Sequence, residues 1–347
     1  MYFINQMYGQ KLNQPVKDTE LVKKIFAASP DNFSSIAIEV FQFQYHNNVV
    51  YRKYCDTLKI NAGNITTTSQ IPFLPIGFFK THIITATSFG PAAIFESSGT
   101  TQTINSKHHV KDIDLYEMSF TKTFRQFYGN AEEWCIIALL PSYLERKNSS
   151  LVMMADKLIK QSKHPQSGFY LNEFEKLKTV LSGLENQRQK TLLIGVTFAL
   201  LDFAEQFPMS LQHTTIMETG GMKGRREEMT RQQVHEILCK AFQKETIHSE
   251  YGMTELLSQA YSKGNGIFNG PPWMKILIRE EDDPFTIYTS ENKTMVTGAI
   301  NIIDLANIYS CSFIATEDAG RLYPDGSFEV LGRLDNTDIR GCSLLVL

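Results

Sequence analysis

Trp134-Cys135-Ile136-Ile137-Ala138-Leu139-Leu140 is the stretch on which the fold turns. It is far short of the ~20 apolar residues that a membrane helix needs. It also lacks the alternation of a half-exposed strand, so both of its faces must be covered, as in a strand lying between crossover helices. Ser149 or Ser150 then caps a helix whose inner face is Leu151, Met154, Ala155, Leu158 and Ile159. Further on, Thr214-Thr215-Ile216-Met217 reads as a short strand running into Gly220-Gly221. Thr230 with Gln233 has capping-box form, ahead of the stripe Val234, Ile237, Leu238, Ala241 and Phe242. Ile247-His248 is another short strand, and a long helix is expected from Lys190 to Phe207, stopped by Pro208. Strands alternating with helices predict an α/β body.

The flanks differ from this middle. From Asp18 to about Leu58 the pattern is helical, with Leu21 and Ile25 on one stripe and Ile36, Val40 and Phe43 on a second. Two prolines make Ile71-Pro72-Phe73-Leu74-Pro75 an extended, rigid connector. After Pro271-Pro272, Lys275 to Arg279, Met295 to Ile303 and Phe313-Ile314 read as strands, and Pro324-Asp325-Gly326 is a hairpin turn before Ser327 to Leu331. The expected division is one large body over 1–332, made of a helical lead-in and connector (1–90), an α/β core (91–270) and a β-rich part (271–332). A short remnant, 333–347, follows.

The 347 residues carry 34 Lys+Arg against 37 Asp+Glu, a formal charge of -3, which gives no general attraction to nucleic acid or to an anionic membrane. With 42% apolar residues the chain can build a core without staples. Cys55, Cys135, Cys239, Cys311 and Cys342 are widely spaced and form no CxxC pair, which suits free thiols in a reducing compartment. The start, MYFINQMYGQ, lacks a basic segment followed by an apolar run, and no window is long enough to span a membrane. A cytoplasmic protein is expected.

Three loops carry more chemistry than a connection needs. In Glu96-Ser97-Ser98-Gly99-Thr100-Thr101-Gln102, hydroxyls around a glycine suit a polyphosphate, although such turns are also common on surfaces without a ligand. In His248-Ser249-Glu250-Tyr251-Gly252-Met253-Thr254-Glu255, the glycine, hydroxyl and carboxylate could hold a phosphate and its Mg²⁺, with Tyr251 stacking on a base. The competing reading is a helix N-terminus capped by Thr254. In Thr316-Glu317-Asp318-Ala319-Gly320-Arg321 and Gly332-Arg333-Leu334-Asp335, Asp318 at a strand end could take a ribose diol and Arg333 a phosphate; otherwise these are two β-turns with solvated charges.

In this order, the loops resemble the acyl-protein synthetase family, the fatty-acid-activating component of bacterial fatty acid reductase complexes. That family is related to adenylate-forming ligases such as phenylacetate–CoA ligase. SSGTTQ (Ser97 to Gln102) is similar to their phosphate loop, YGMTE (Tyr251 to Glu255) to their Tyr-Gly-x-Thr-Glu motif, and TED (Thr316 to Asp318) to their ribose-binding Thr-x-Asp. GRLD (Gly332 to Asp335) and IRG (Ile339 to Gly341) resemble their hinge and the turn after it. The resemblance implies an adenylate-forming-ligase-like α/β body with mixed sheets, and ATP and Mg²⁺ as cofactors. Ser97, Ser98, Gly99, Thr100, Thr101, Gly220, Gly221, Tyr251, Gly252 and Asp318 would bind the nucleotide. Glu255 would bind the metal, and Thr254, Glu255 and Arg333 would act on the phosphates.

Only 14 residues follow Arg333, so the usual C-terminal domain of the broad family, with its lysine and coenzyme A surface, is truncated or absent from this sequence. The phosphate loop ends in Gln102 where those ligases have glycine-lysine. Acyl-protein synthetases also end in an Arg-Gly-Cys segment, here Arg340-Gly341-Cys342. The implied reaction activates a carboxylic acid, a fatty acid by resemblance, as an acyl adenylate. The acyl group then moves to Cys342 as a thioester and on to an acyl-CoA-reductase-like acceptor. The alternatives are transfer to an external thiol, amine or sugar, or a non-catalytic nucleotide-binding subunit.

Overall fold

The computed structural model describes residues 18–97, 104–141, 148–171, 173–220, 229–281, 283–292 and 294–334. Three N-terminal helices come first: α1 (Asp18–Phe26), α2 (Phe33–Asn47) and α3 (Val49–Thr57). Leu21, Ile25, Ile36 and Val40 are buried, so the stripes read from the sequence face inward. Gln44 on α2 is buried as well. Its amide donates to the carbonyls of Asn307 and Ile308, and its oxygen accepts from the Ser312 N–H, so this helix is fastened to the far end of the chain.

The proline-flanked connector is extended, as expected, but it is buried. Leu74–Pro75 forms β1, and Ile71, Phe73 and Leu74 are among the most buried residues of the chain. Pro75 is tolerated because β1 is a two-residue strand paired on one side only, so its missing N–H leaves no gap in a ladder. The short α4 (Phe78–Thr81) follows. A separate two-stranded sheet then forms from β2 (Ala93–Glu96) and β3 (Lys107–Val110), which flank the Ser/Thr/Gly loop.

The middle supplies α5 (Ile113–Tyr128), β4 (Cys135–Leu139), α6 (Ser150–Ser162), β5 (Gly168–Phe169), α7 (Phe174–Asn186), β6 (Thr191–Val196), α8 (Thr197–Gln206), β7 (Thr214–Thr219), α9 (Arg231–Phe242) and β8 (His248–Tyr251). Ser149 caps α6 through its Oγ on the Val152 N–H, and Thr230 with Gln233 forms the capping box of α9. The long helix expected from Lys190 is a strand followed by a shorter helix. Every residue of Thr191–Val196 is buried, and so are most of α8, so the apolar run showed no period that could separate the two.

The chain then adds β9 (Ala260–Ser262), β10 (Phe268–Asn269), β11 (Met274–Arg279), β12 (Ile287–Tyr288), β13 (Val296–Asp304), β14 (Phe313–Leu322) and β15 (Phe328–Arg333). The described strands other than β2 and β3 join one 13-stranded mixed sheet in the order β12-β11-β13-β14-β15-β10-β9-β8-β7-β6-β4-β5, with β1 beside β14. From β5 to β8 all pairings are parallel; along the path from β8 to β12 they are antiparallel, while β1 pairs with β14 in parallel. The β-rich stretch is continuous with the α/β half through the Phe268↔Phe328 pair of β10 and β15. The mixed-sheet α/β architecture expected of an adenylate-forming-ligase-like body is the architecture found. No helix among the described residues is long and apolar enough to cross a membrane.

Candidate functional site

The change from parallel to antiparallel pairing occurs at β8, and the Tyr251-to-Glu255 segment leaves its carboxyl end. Ligand sites of α/β sheets favour this place, because neighbouring loops diverge there and open a crevice. The helix start considered for Thr254 does not form. Residues 252–259 make a turn and irregular backbone before β9. Asp304, buried at the end of β13, holds that turn by accepting from the N–H groups of Leu257 (2.8 Å) and Ser258 (2.9 Å) and from the Ser258 hydroxyl (2.6 Å).

Two more side chains fix the carbonyls of the Thr-Glu pair. His108 on β3 is buried, and burial pushes its imidazole down to about 4, so the ring is neutral at physiological pH. Its Nδ1 lies 2.9 Å from the Thr254 carbonyl, which can only accept, so Nδ1 carries the proton. Asn307 Nδ2 donates to the Glu255 carbonyl at 2.7 Å. These contacts aim Glu255 from both sides. Its side chain is buried, and burial raises its carboxyl above the ordinary range, while the Ser106 side chain and the charges of Arg333 and Lys80 act the other way. Ser106 is also the backbone partner of Ser97: its N–H donates to Ser97 Oγ at 2.9 Å and its carbonyl accepts from the Ser97 N–H at 3.1 Å. The first residue of the Ser/Thr/Gly loop is thereby placed beside Glu255.

Tyr251 is buried against the stacked pair Phe268 and Phe328, with ring centroids at 5.9 and 5.8 Å. Its hydroxyl donates to Asp318 Oδ2 at 2.7 Å. The structure corrects the position of Asp318, which lies inside β14 and not at a strand end or in a turn. A register shift between Ala319 and Gly320 interrupts the pairing immediately after it. Asp318 faces Arg333 across the β14–β15 pair; Arg333 Nε is 3.8 Å from Asp318 Oδ1 and Nη2 is 3.3 Å from Glu317 Oε2. Burial raises the Asp318 carboxyl, against the Tyr251 hydrogen bond and the Arg333 charge. Arg333 is largely exposed, which leaves its remaining donors open to solvent or a ligand.

Gly220 follows β7 with φ +71°, a left-handed conformation that glycine adopts without strain, and its carbonyl accepts from Thr197 Oγ1 at 2.9 Å. Gly252 is exposed, and a Cβ there would come within 2.5 Å of Glu250 Oε1. Beside Gly220, through the shared Thr197 hydroxyl, lies a buried charged group that the motifs did not suggest. Glu218 on β7 meets Arg231 Nε at 3.2 Å and His235 Nε2 at 3.6 Å. Burial alone would raise its carboxyl, but His235, Arg231 and Ser249 outweigh it and hold it below the ordinary range. The structure thus brings together Ser97, Tyr251, Gly252, Thr254, Glu255, Asp318 and Arg333, with Gly220 on the adjoining strand end. Ser98, Gly99, Thr100, Thr101, Gln102, Gly221 and Cys342 lie outside the described residues. Among the described residues no group of three or more His, Cys, Asp or Glu forms a ready metal cluster. Glu255 is a buried carboxylate beside these loops.

No protein-family model matches the chain, and no curated protein matches it. Solved structures do. ATP-bound MatB from Rhodopseudomonas palustris is 16% identical with a TM-score of 0.51, over 72% of this chain and 50% of that one. The ATP-bound RpMatB-BxBclM chimera B3 gives 15% and 0.52 over the same shares. A 2-hydroxyisobutyryl-CoA ligase, in the postadenylation state in complex with R3-HIB-AMP, is 9% identical with a TM-score of 0.61, over 98% of this chain and 75% of that one. This chain therefore spans about half the length of the MatB structures. At these identities the likeness concerns the fold alone, which this chain shares with these structures.

Proposed function

We propose that this chain activates a carboxylic acid as its acyl adenylate and passes the acyl group to an external thiol, amine or sugar hydroxyl. The observation that supports it is the convergence of Tyr251, Asp318, Arg333, Glu255 and Ser97 at the strand ends where the sheet changes sense, within a fold shared with structures that hold ATP or R3-HIB-AMP. In this reading the carboxylate attacks the α-phosphorus of ATP in line, and pyrophosphate leaves. Asp318 Oδ1 accepts from the ribose while Oδ2 stays tied to Tyr251. Thr254, Arg333 and the Ser97-to-Thr101 loop donate to phosphoryl oxygens. Adenylation by such a site is positioning plus electrostatic stabilisation of the growing phosphoryl charge. Mg²⁺, when bound, supplies positive charge to the phosphates. Glu255 fits it, because its buried carboxylate forms no ion pair with Lys or Arg among the described residues and a cation would offset its burial.

Self-acylation is the second reading. Burial pushes Cys55 up to about 12 and Cys135 to about 11, and raises Cys311 and Cys239 also. A thiolate is the nucleophile, so burial disfavours these four, and Cys342 is the thiol that the resemblance names. Its thioester would then pass to the acyl-CoA-reductase-like acceptor that the resemblance implies. One experiment separates the readings. With ATP, Mg²⁺ and a panel of acids, external acceptors should be acylated with matching release of AMP, and the Cys342→Ser variant should do this as well as the parent. A protein-bound acyl group that neutral hydroxylamine releases and Cys342→Ser abolishes would favour the self-thioester instead. Absence of AMP release with every acid would leave only a nucleotide-binding scaffold.

A further inference from the structure

Side chains in β8 alternate between the two faces of the sheet. Ser249 meets His235 of α9 on one face, with its Oγ 3.3 Å from Nε2; His248 meets Tyr128 of α5 on the other, at 3.1 Å. Glu250 shares the α5 face with His248. Its register partners are Thr219 on β7 and Tyr261 on β9, so the three side chains stand side by side. The Thr219 hydroxyl donates to Glu250 Oε2. The other oxygen, Oε1, is the atom that a Cβ on Gly252 would strike, and Gln259 Cγ lies 3.3 Å from the same point. Glu250, Gln259 and Tyr261 are therefore neighbours around one glycine at the edge of the candidate cleft.

Among the described residues, two of these polar groups have no partner. The Tyr261 hydroxyl and Gln259 Oε1 are buried without a hydrogen bond, in residues 1% and 5% exposed. A buried polar atom left unpaired costs about 1–3 kcal/mol, so two of them beside a buried carboxyl mark a place for something that bonds to them. The surrounding wall is aromatic: Phe127 and Tyr128 pack on Tyr261 at 5.4 and 5.3 Å.

From this juxtaposition we infer that Glu250, Gln259 and Tyr261 bind a hydrogen-bond-donating substituent, a hydroxyl or an ammonium, on the carboxylic acid that the site activates. The inference rests on the adenylation reading and narrows it from carboxylic acids in general to acids with a polar substituent, away from a plain alkyl chain. Gln259 Oε1 accepts and does not donate, so an acid with a methyl group where the donor belongs would leave it unpaired. Burial also lifts the Glu250 carboxyl to about 7, so it can meet a neutral hydroxyl as the acid or an ammonium as the carboxylate. A site built to hydrogen-bond a substrate group rejects the analogue lacking it far better than an apolar pocket rejects an extra methylene.

The test is carboxylate-dependent exchange of labelled pyrophosphate into ATP by the full chain, with butanoate, hexanoate and octanoate against 3-hydroxybutanoate, 4-hydroxybutanoate and 4-aminobutanoate. At least one donor-bearing acid should exceed butanoate in kcat/KM by about tenfold or more. Tyr261→Phe removes only an unpaired hydroxyl. It should leave Tm unchanged or slightly raised and lower that ratio several-fold. Preference for the alkanoates overturns the inference while leaving adenylation standing. A lower Tm in Tyr261→Phe with an unchanged ratio also overturns it and assigns the place to structural water. Exchange with none of the acids overturns the adenylation reading and this inference together.

Discussion

Glu250 is held at a disadvantage that pH can reveal. Its carboxyl is raised from 4.5 to about 7, so the folded state binds its proton more tightly than the unfolded chain does. Its contribution is therefore favourable in acid, and it is lost as pH rises from the unfolded value through the folded one. The difference corresponds to about 3 kcal/mol. Glu250→Gln should raise Tm at pH 8 and change it little at pH 4.5; equal shifts at both values would mean that the carboxyl is not carrying this burden. Asp318 poses a different question, because one of its oxygens is committed to Tyr251 and the other faces the cleft beside Arg333. Asp318→Ala should raise KM for ATP by about tenfold with a smaller change in kcat at saturating ATP, since a ribose contact need not tighten in the transition state. An unchanged ATP dependence would remove Asp318 from the nucleotide site.

Elements were legible where a local rule fixed them. The capping box at Thr230 and Gln233 and the cap at Ser149 depend on residues three apart, and both form. Residues 190–207 were not legible, because the strand Thr191–Val196 and the helix Thr197–Gln206 are both buried and no Gly or Pro separates them at Val196-Thr197. Of the site, the Tyr-Gly-x-Thr-Glu segment and Asp318 could be picked out as polar groups in compact loops. His108, Asn307 and Glu218 could not: a single polar residue on a strand or in a turn carries no pattern, and their positions come from tertiary contacts. The strand reading of Asp318 was hidden for the same reason, since β14 becomes polar and glycine-containing just where it bends. Gly320 sits at that irregularity, and a Cβ there would lie 2.5 Å from Ile300 side-chain atoms and 2.7 Å from the Glu329 carbonyl. Gly320→Ala should therefore destabilise the protein by about 1–3 kcal/mol and weaken ATP binding through Asp318. Wild-type Tm and ATP binding in that variant would show that the strand yields without cost.

Across the whole molecule, the parallel and antiparallel halves share one sheet, and Arg231 spans them. It pairs with Glu218 on β7, donates to the Val330 carbonyl on β15 at 2.7 Å, and lies 5.0 Å from the Phe268 ring centroid, against the aromatic pair that walls Tyr251. Glu218 is depressed below its ordinary 4.5, so its stabilising contribution is present above that value and is lost as pH falls through the folded one. Arg231→Ala would leave the buried Glu218 without its arginine, with His235, Ser249 and Thr197 still beside it. It should destabilise by about 3 kcal/mol near pH 7, less near pH 4, and raise KM for ATP; a pH-independent loss would contradict the role of the pair. The most direct test of the central claim is exchange of labelled pyrophosphate into ATP, measured for the full chain with and without added carboxylic acid and repeated with Glu255→Gln. Exchange should require the acid and should fall by about a hundredfold or more in the variant, the effect of removing one main electrostatic stabiliser. Acid-independent exchange, no exchange with any acid, or a Glu255→Gln variant as active as the parent would contradict it.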